Sequence, residues 1–289
     1  MKKTVIVTDS NSGMTQEMGR SLGVEVLPMP FTIGSETYFE GINLSQAEFY
    51  HKLEKDAAIS TSQPSPEAVM SLWDQVLKEA DEVVHIPMSS GLSGSCQTAV
   101  MLAEEYDGRV QVVDNHRISV TQYQSVLDAL ALRDAGCTAA QIKERLEKEG
   151  PESSIYIMVD TLKYLKRGGR ITPAVAALGT LLRLKPVLQI QGGRLDTFAK
   201  ARTVAQAKSI MIQAMKEDVQ NRFGGLKRKP VWLEIAHTQN EEQAQLLKEE
   251  LLAAFPGYVK VDIAPLSLSV ACHIGPGALA VACSRKLVL

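Results

Sequence analysis

Three stretches of the chain concentrate groups that can hold an anion or serve acyl transfer. They are Ser60-Thr61-Ser62-Gln63-Pro64-Ser65, Ser89-Ser90-Gly91-Leu92-Ser93-Gly94-Ser95 and His273-Ile274-Gly275-Pro276-Gly277-Ala278. Hydroxyls donate and accept hydrogen bonds, and an imidazole can change charge near neutral pH. Gly91 and Gly94 would let backbone approach a ligand closely. Each stretch also has a purely structural reading, since Ser and Thr before a helix commonly cap it. Capping is the better reading of Ser60–Ser65 taken alone, whereas Ser89–Ser95 holds more hydroxyls than one cap needs. A triad of Ser93, His273 and an Asp is compatible with the sequence, although Gly91–Ser95 misses the G-x-S-x-G elbow at its last position. Neither a G-x-x-x-x-G-K-[ST] phosphate loop nor a G-x-G-x-x-G fingerprint is present. Asp9, Asp114 and Asp160 each follow a predicted strand and suit Mg²⁺ or a turn cap equally well. Lys163, Lys166, Arg167 and Arg170 surround Gly168-Gly169. Cations suit a helix carboxyl end, and they also suit a phosphate or an acidic partner.

The pattern around these stretches predicts the elements that hold them. Thr4–Thr8 reads as a buried strand, Gln16–Leu22 as a helix and Val24–Pro28 as a second strand. Phe31–Phe39 reads as a hairpin turning at Gly34-Ser35. Ser45 and Glu48 form a capping box, Ser65-Pro66 starts a helix, and Thr138 caps another. Ser60–Pro66 and Ser89–Ser95 read as loops, the second between the strand Glu82–Pro87 and a helix from Cys96. Strand and helix alternate from Thr4 to Glu149, which implies a largely parallel sheet covered on both faces. Loops outside the carboxyl ends of such strands line the usual ligand crevice. After Gly150-Pro151 the pattern changes. A short helix near Thr161–Lys166, another from Pro173, and a strand pair turning at Gly192-Gly193 come first. A helix over Thr203–Gln220, the strand–helix–strand run from Val231 to Ile263 and a last strand from Leu279 complete it. The fold class expected is α/β in two domains. Residues 1–152 form a Rossmann-like domain with a parallel sheet, and residues 153–289 form a mixed α/β domain.

Composition narrows the function classes. With 31 Lys and Arg against 33 Asp and Glu, the net charge of −2 gives no global attraction to nucleic acid or to an anionic membrane. Aromatics are only 5% of the chain, which argues for aliphatic pocket walls and against platforms for stacking bases or sugars. The 289 residues are enough for two cores. Cys96, Cys137, Cys272 and Cys283 are scattered and form no C-x-x-C pair, which points to reduced thiols, a cytoplasmic setting and no zinc site. The apolar run after Lys3 is too short for a signal peptide, and Ala174–Leu182 is far too short to span a membrane. A monomer is expected.

Taken together, the three stretches and three others resemble the DegV family of bacterial proteins, the fatty-acid-binding subunits of fatty acid kinase. The further marks are Thr8-Asp9-Ser10, Leu165-Lys166-Arg167-Gly168-Gly169-Arg170-Ile171, Lys185-Pro186-Val187-Leu188, and the order in which all of them occur from residue 8 to residue 278. The resemblance implies one long-chain fatty acid held between the two domains, with its carboxyl group on Thr61, Ser93 and His273. Ser62, Gly94 and Gly275 would add loop contacts. It implies no catalytic residue, metal or cofactor. A separate ATP-dependent kinase would phosphorylate the bound acid to an acyl phosphate for the acyltransferases of phospholipid synthesis. Arg170 matches a family arginine near the pocket mouth, and Arg202 matches one linked to kinase contact. The competing expectation is a serine hydrolase or acyltransferase using Ser93 and His273. Two departures, Asp114-Asn115-His116-Arg117 and Ala280, leave the three carboxyl ligands untouched.

Overall fold

The computed structural model describes residues 2–55, 57–172, 175, 184–225, 230–258 and 260–289. The helix expected from Pro173 lies outside the described residues. The chain divides into two compact units. The first comprises Met1–Pro151 with Ser267–Ser269 and Leu287–Leu289, and the second comprises Glu152–Leu266 with Val270–Lys286.

In the first unit, short β-branched runs bury both faces of a parallel sheet. Its strands are β1 (Thr4–Asp9), β2 (Val24–Leu27), β6 (Glu82–Ile86) and β7 (Val110–Val112), in the order β2-β1-β6-β7. The order reverses beside β1, so β1 and β6 run side by side, Thr8 opposite Ile86, with their carboxyl ends at a switch point. One face packs on the helices Val120–Asp134 and Ala139–Glu149 through Ile6, Val84, Val126 and Ile142. The other packs on Pro66–Val76 and Ser95–Ala103 through Val7, Val83, Trp73 and Ala99. Trp73 is fully buried, edge-on to His85 and Tyr106 at 5.5 and 5.3 Å.

The hairpin forms as expected, with β3 (Pro30–Ile33) and β4 (Glu36–Phe39) turning at Gly34-Ser35. β3 also pairs on its other side with β5 (Ile59–Thr61), placing Thr61 opposite Phe31. The expectation of a loop from Ser60 is therefore corrected. Ser60 and Thr61 end a strand, because Ile59 alternates inward and β3 had a free edge. Glu40, at the end of this hairpin, accepts from the Leu268 backbone N–H at 2.7 Å.

The second unit is built on one six-stranded sheet. The strands are β8 (Ser153–Met158), β9 (Lys185–Gln191), β10 (Arg194–Ala201), β11 (Val231–His237), β12 (Asp262–Pro265) and β13 (Leu279–Arg285), in the order β10-β9-β8-β13-β11-β12. β11 and β12 are parallel and all other pairs are antiparallel. The last strand of the chain is thus inserted between β8 and β11, where every residue but Arg285 is buried. The helices Val204–Asn221 and Glu241–Ala254 cover the sheet through Met211, Met215, Leu247 and Leu251. Trp232 of β11 lies under Lys286, whose ammonium sits 3.9 Å from the ring centroid.

Candidate functional site

In the first unit the two hydroxyl-rich stretches stand next to each other. Thr61, partly buried, closes β5, and the Ser62 backbone N–H donates to the Pro30 carbonyl at 3.3 Å. Gln63 then reaches across. Its Oε1 accepts from Thr98 Oγ1 at 3.2 Å and would lie 3.3 Å from a Cβ placed on Gly94. Ser65 caps the helix Pro66–Val76 by accepting from the Ala68 N–H. The second stretch turns on Ser89, whose carbonyl accepts from the N–H groups of Leu92 and Ser93 and whose hydroxyl accepts from Gly91. Ser93 Oγ accepts from the Ser95 N–H at 3.2 Å, and exposed Gly94 occupies the cap position of the helix Ser95–Ala103. Ser65 thus caps its helix with a side chain, while Gly94 brings none to the cap position of Ser95–Ala103.

Beneath these loops, at the switch point, the carboxyl ends of β1 and β6 frame a small, partly open crevice with room for about one water. Asp9, Leu27, Val69, His85, Pro87 and Ser95 line it, with Pro64 and Thr98 at the loop side. Asp9 is completely buried. Its oxygens accept from Met88 N–H at 2.8 Å, Asn11 N–H at 2.9 Å and Gln122 Nε2 at 3.1 Å. Burial outweighs these donors and raises the carboxyl to about 6. His85 is pushed down to about 3 by burial, so its ring is neutral. Sequence reasoning placed Asp9 at a strand end but missed His85, which sits among apolar neighbours in β6 and carries no local signal.

In the second unit, His273 is in the last turn of a helix, Leu268–Ile274, just before the glycine-rich segment. Gly275 ends that helix at φ +81, its N–H donating to the Ala271 carbonyl at 2.7 Å. The following Pro276-Gly277-Ala278 is clamped by a residue that sequence reasoning missed. Thr238 Oγ1 donates to the Gly275 carbonyl at 2.6 Å and accepts from the Ala278 N–H at 2.9 Å. Two close approaches pack this segment on the helix Lys163–Arg167. A Cβ on Gly168 would fall 2.0 Å from His273 Nδ1, and one on Gly275 would fall 2.2 Å from the Tyr164 ring. Burial and, second, the Arg170 charge lower His273 to about 4, so the imidazole is neutral at physiological pH. Exposed Arg170 donates to the Gly168 carbonyl at 2.9 Å, as a cation at a helix carboxyl end should. Arg202, also exposed, follows the edge strand β10, and its N–H donates to Gln206 Oε1 at 2.8 Å.

A hydroxyl, an imidazole and a carboxylate do meet in the first unit, but they are Ser90, His116 and Asp114. Ser90 Oγ and Asp114 Oδ1 both lie 3.3 Å from the same nitrogen, His116 Nδ1. A catalytic relay uses the two ring nitrogens separately, so this geometry is not a triad. Among the described residues no cluster of His, Cys, Asp and Glu has the makings of a metal site, and no helix is long and apolar enough to cross a membrane.

A parallel α/β unit with adjacent hydroxyl-rich segments near its switch point, and a mixed-sheet unit carrying a partly buried, neutral histidine, define a two-unit α/β protein. A family profile described as an uncharacterised protein of the DegV family matches residues 3–286, and the chain belongs to that family. A DegV domain-containing protein of Streptomyces coelicolor is 31% identical over 286 residues, 99% of each chain. Two solved structures are similar throughout. A fatty-acid-binding DegV family protein from Thermus thermophilus has a TM-score of 0.89 and 32% identity, covering 98% of this chain and 100% of the other. DegV from Bacillus subtilis, described as a fatty acid binding protein, has a TM-score of 0.87 and 30% identity over 99% and 100%.

Proposed function

We propose that this protein binds one long-chain fatty acid, holds its carboxyl group with Thr61, Ser93 and His273, and presents it to a separate kinase. The acyl phosphate formed there would feed the acyltransferases of phospholipid synthesis. The observation that carries the reading is the pairing of the two hydroxyl stretches through Gln63, in a chain whose relatives are described as fatty acid binders.

The chemistry of the three side chains fits a carrier whose cargo is modified in place. An acyl chain of about 15 methylenes at about 0.8 kcal/mol each contributes on the order of 12 kcal/mol gross, before association costs of several kcal/mol. The tail therefore supplies affinity and the polar end supplies orientation. A bidentate Arg would hold the carboxylate tightly and oppose its conversion to a mixed anhydride. Neutral hydroxyls and a neutral imidazole can donate to a carboxylate or to an acyl phosphate. Arg170 and Arg202 would serve the kinase or the phosphoryl group, and Ser62, Gly94 and Gly275 would complete the loops.

Native mass spectrometry of the purified chain should find a non-covalent fatty acid, lost or reduced at least about tenfold in occupancy in Thr61→Ala, Ser93→Ala and His273→Gln. A covalent acyl–Ser93 adduct, or esterase turnover abolished by Ser93→Ala, would replace the carrier with an acyltransferase or hydrolase. Arg170→Ala should retain the lipid and slow its phosphorylation when the kinase is added.

A further inference from the structure

We propose that Thr238 is a positioning residue for the carboxyl site, its hydroxyl fixing the Gly275–Ala278 segment so that the His273 imidazole is held where a fatty acid carboxyl can meet it. The inference rests on the fatty-acid reading above and adds a residue that sets affinity at the same site.

The segment after His273 cannot hold itself. Gly275 and Gly277 both lie at φ +81, Pro276 between them has no N–H, and none of the three has a polar side chain. Its backbone groups are satisfied from the end of β11 instead. His237 and Leu279 are the last pair of the ladder between β11 and β13, and Thr238 stands one step beyond. There its N–H donates to the Ala278 carbonyl at 3.2 Å, and its carbonyl accepts from the Gly277 N–H at 2.8 Å. The Thr238 side chain is completely buried. Its hydroxyl uses the one proton on the Gly275 carbonyl at 2.6 Å and a lone pair on the Ala278 N–H at 2.9 Å. Asn240 Nδ2 closes the turn on the Gly277 carbonyl at 3.0 Å.

What this clamp positions is the histidine. Gly275 is two residues beyond His273 and its own N–H donates back to Ala271, so fixing its carbonyl fixes the last turn of the helix Leu268–Ile274. The tolerance is small. Gly275 lies against the Tyr164 ring and the His273 ring against Gly168, so closely that a methyl group fits at neither glycine. Without the hydroxyl, the Gly275 carbonyl and the Ala278 N–H must find water, and the segment has to lift from Tyr164 to reach it. The imidazole then leaves Gly168 and moves toward solvent. Packing alone does not call for a hydroxyl here, since valine has nearly the same shape without the two bonds.

The test measures oleic acid affinity of the delipidated full chain together with the titration of His273 by imidazole nitrogen NMR, the signal assigned by its loss in His273→Gln. Thr238→Val should weaken oleic acid binding about tenfold, the size of one net hydrogen bond, and Thr238→Ser should restore it to within about twofold of wild type. In Thr238→Val the His273 titration should move from about 4 toward 6.5 as burial and the nearby Arg170 charge act on it less, and in Thr238→Ser it should stay near 4. A residue that only packs would lower the unfolding midpoint and move neither reading, so an unchanged affinity or an unmoved titration in folded Thr238→Val overturns the positioning role. If Thr238→Val does not fold, Asn240→Ala decides. It removes the bond to the Gly277 carbonyl and has no cap bond to lose in the helix Glu241–Ala254. Binding should weaken about threefold, and unchanged binding overturns the clamp. If the wild type takes up no oleic acid, the fatty-acid reading falls and the affinity role with it, while the His273 titration still reports separately whether Thr238 holds the imidazole.

Discussion

Glu40 shows how a single carboxyl in this protein is governed by burial. It accepts from the Leu268 N–H, yet desolvation is the larger effect and lifts it to about 7. The native state therefore keeps a proton that the unfolded chain gives up near pH 4.5. Stability contributed by that proton is present below about pH 4.5 and is lost as pH rises to about 7. Glu40→Gln keeps an acceptor for Leu268 and has no charge to bury. The variant should gain about 1–3 kcal/mol relative to wild type between pH 5 and pH 8 in urea unfolding. An unchanged difference between the two pH values would refute it. At this scale the sequence is informative where a residue type speaks locally. Thr61, Ser93 and His273 stand out by their neighbours, and Ser65 before Pro66 is a cap on sight. Thr238 and His85 do not, because one acts on a loop 37 residues away and the other matters only once β1, β6 and the helix Ser95–Ala103 are assembled around it.

Elements tell the same story with different boundaries. The Gly34-Ser35 hairpin, the capping box of Ser45 with Glu48 and the Thr138 cap were readable because each is closed within a few residues. The strand β5 and the helix Leu268–Ile274 were not, since the first depends on the free edge of β3 and the second was masked by the glycines that end it. Those glycines make the helix consequential. Gly168→Ala puts a methyl group where the His273 ring stands, so the ring must turn away. The expected result is a modest loss of thermal stability with a large loss of fatty acid occupancy by mass spectrometry. Gly275→Ala meets the Tyr164 ring and an unfavourable φ together, and should destabilise by about 2–4 kcal/mol in denaturant unfolding. If Gly168→Ala instead loses stability as severely and keeps its lipid, the histidine is a packing residue.

Over the whole molecule, the change from strand–helix alternation to a mixed pattern near Pro151 was visible because periodicity reports layers. The return of residues 267–269 and 287–289 to the first unit was invisible, as was the insertion of β13 between β8 and β11. Both are pairings between segments far apart in the chain, on which local preference is silent. The ionisable groups also act collectively. Burial raises Asp9 and Asp128 to about 6 while it lowers His85 to about 3 and His273 to about 4. The carboxyls make stability fall as pH rises from about 4 to 6, and the imidazoles make it rise from about 4 to 6.5. Glu40 acts in the same sense as the two aspartates, and His237, also lowered by burial, in the same sense as the two imidazoles. The opposing slopes offset one another, so wild-type stability should vary little over that interval, and a steep slope in calorimetric midpoints would contradict the balance.

The chain has two tryptophans, and the fold assigns one to each unit: Trp73 sealed between an imidazole and a phenol, Trp232 beneath an ammonium group. Each unit thus carries one indole as an intrinsic optical reporter. With Trp232→Phe or Trp73→Phe, the melting of either half can be followed by its own fluorescence, with no dye attached.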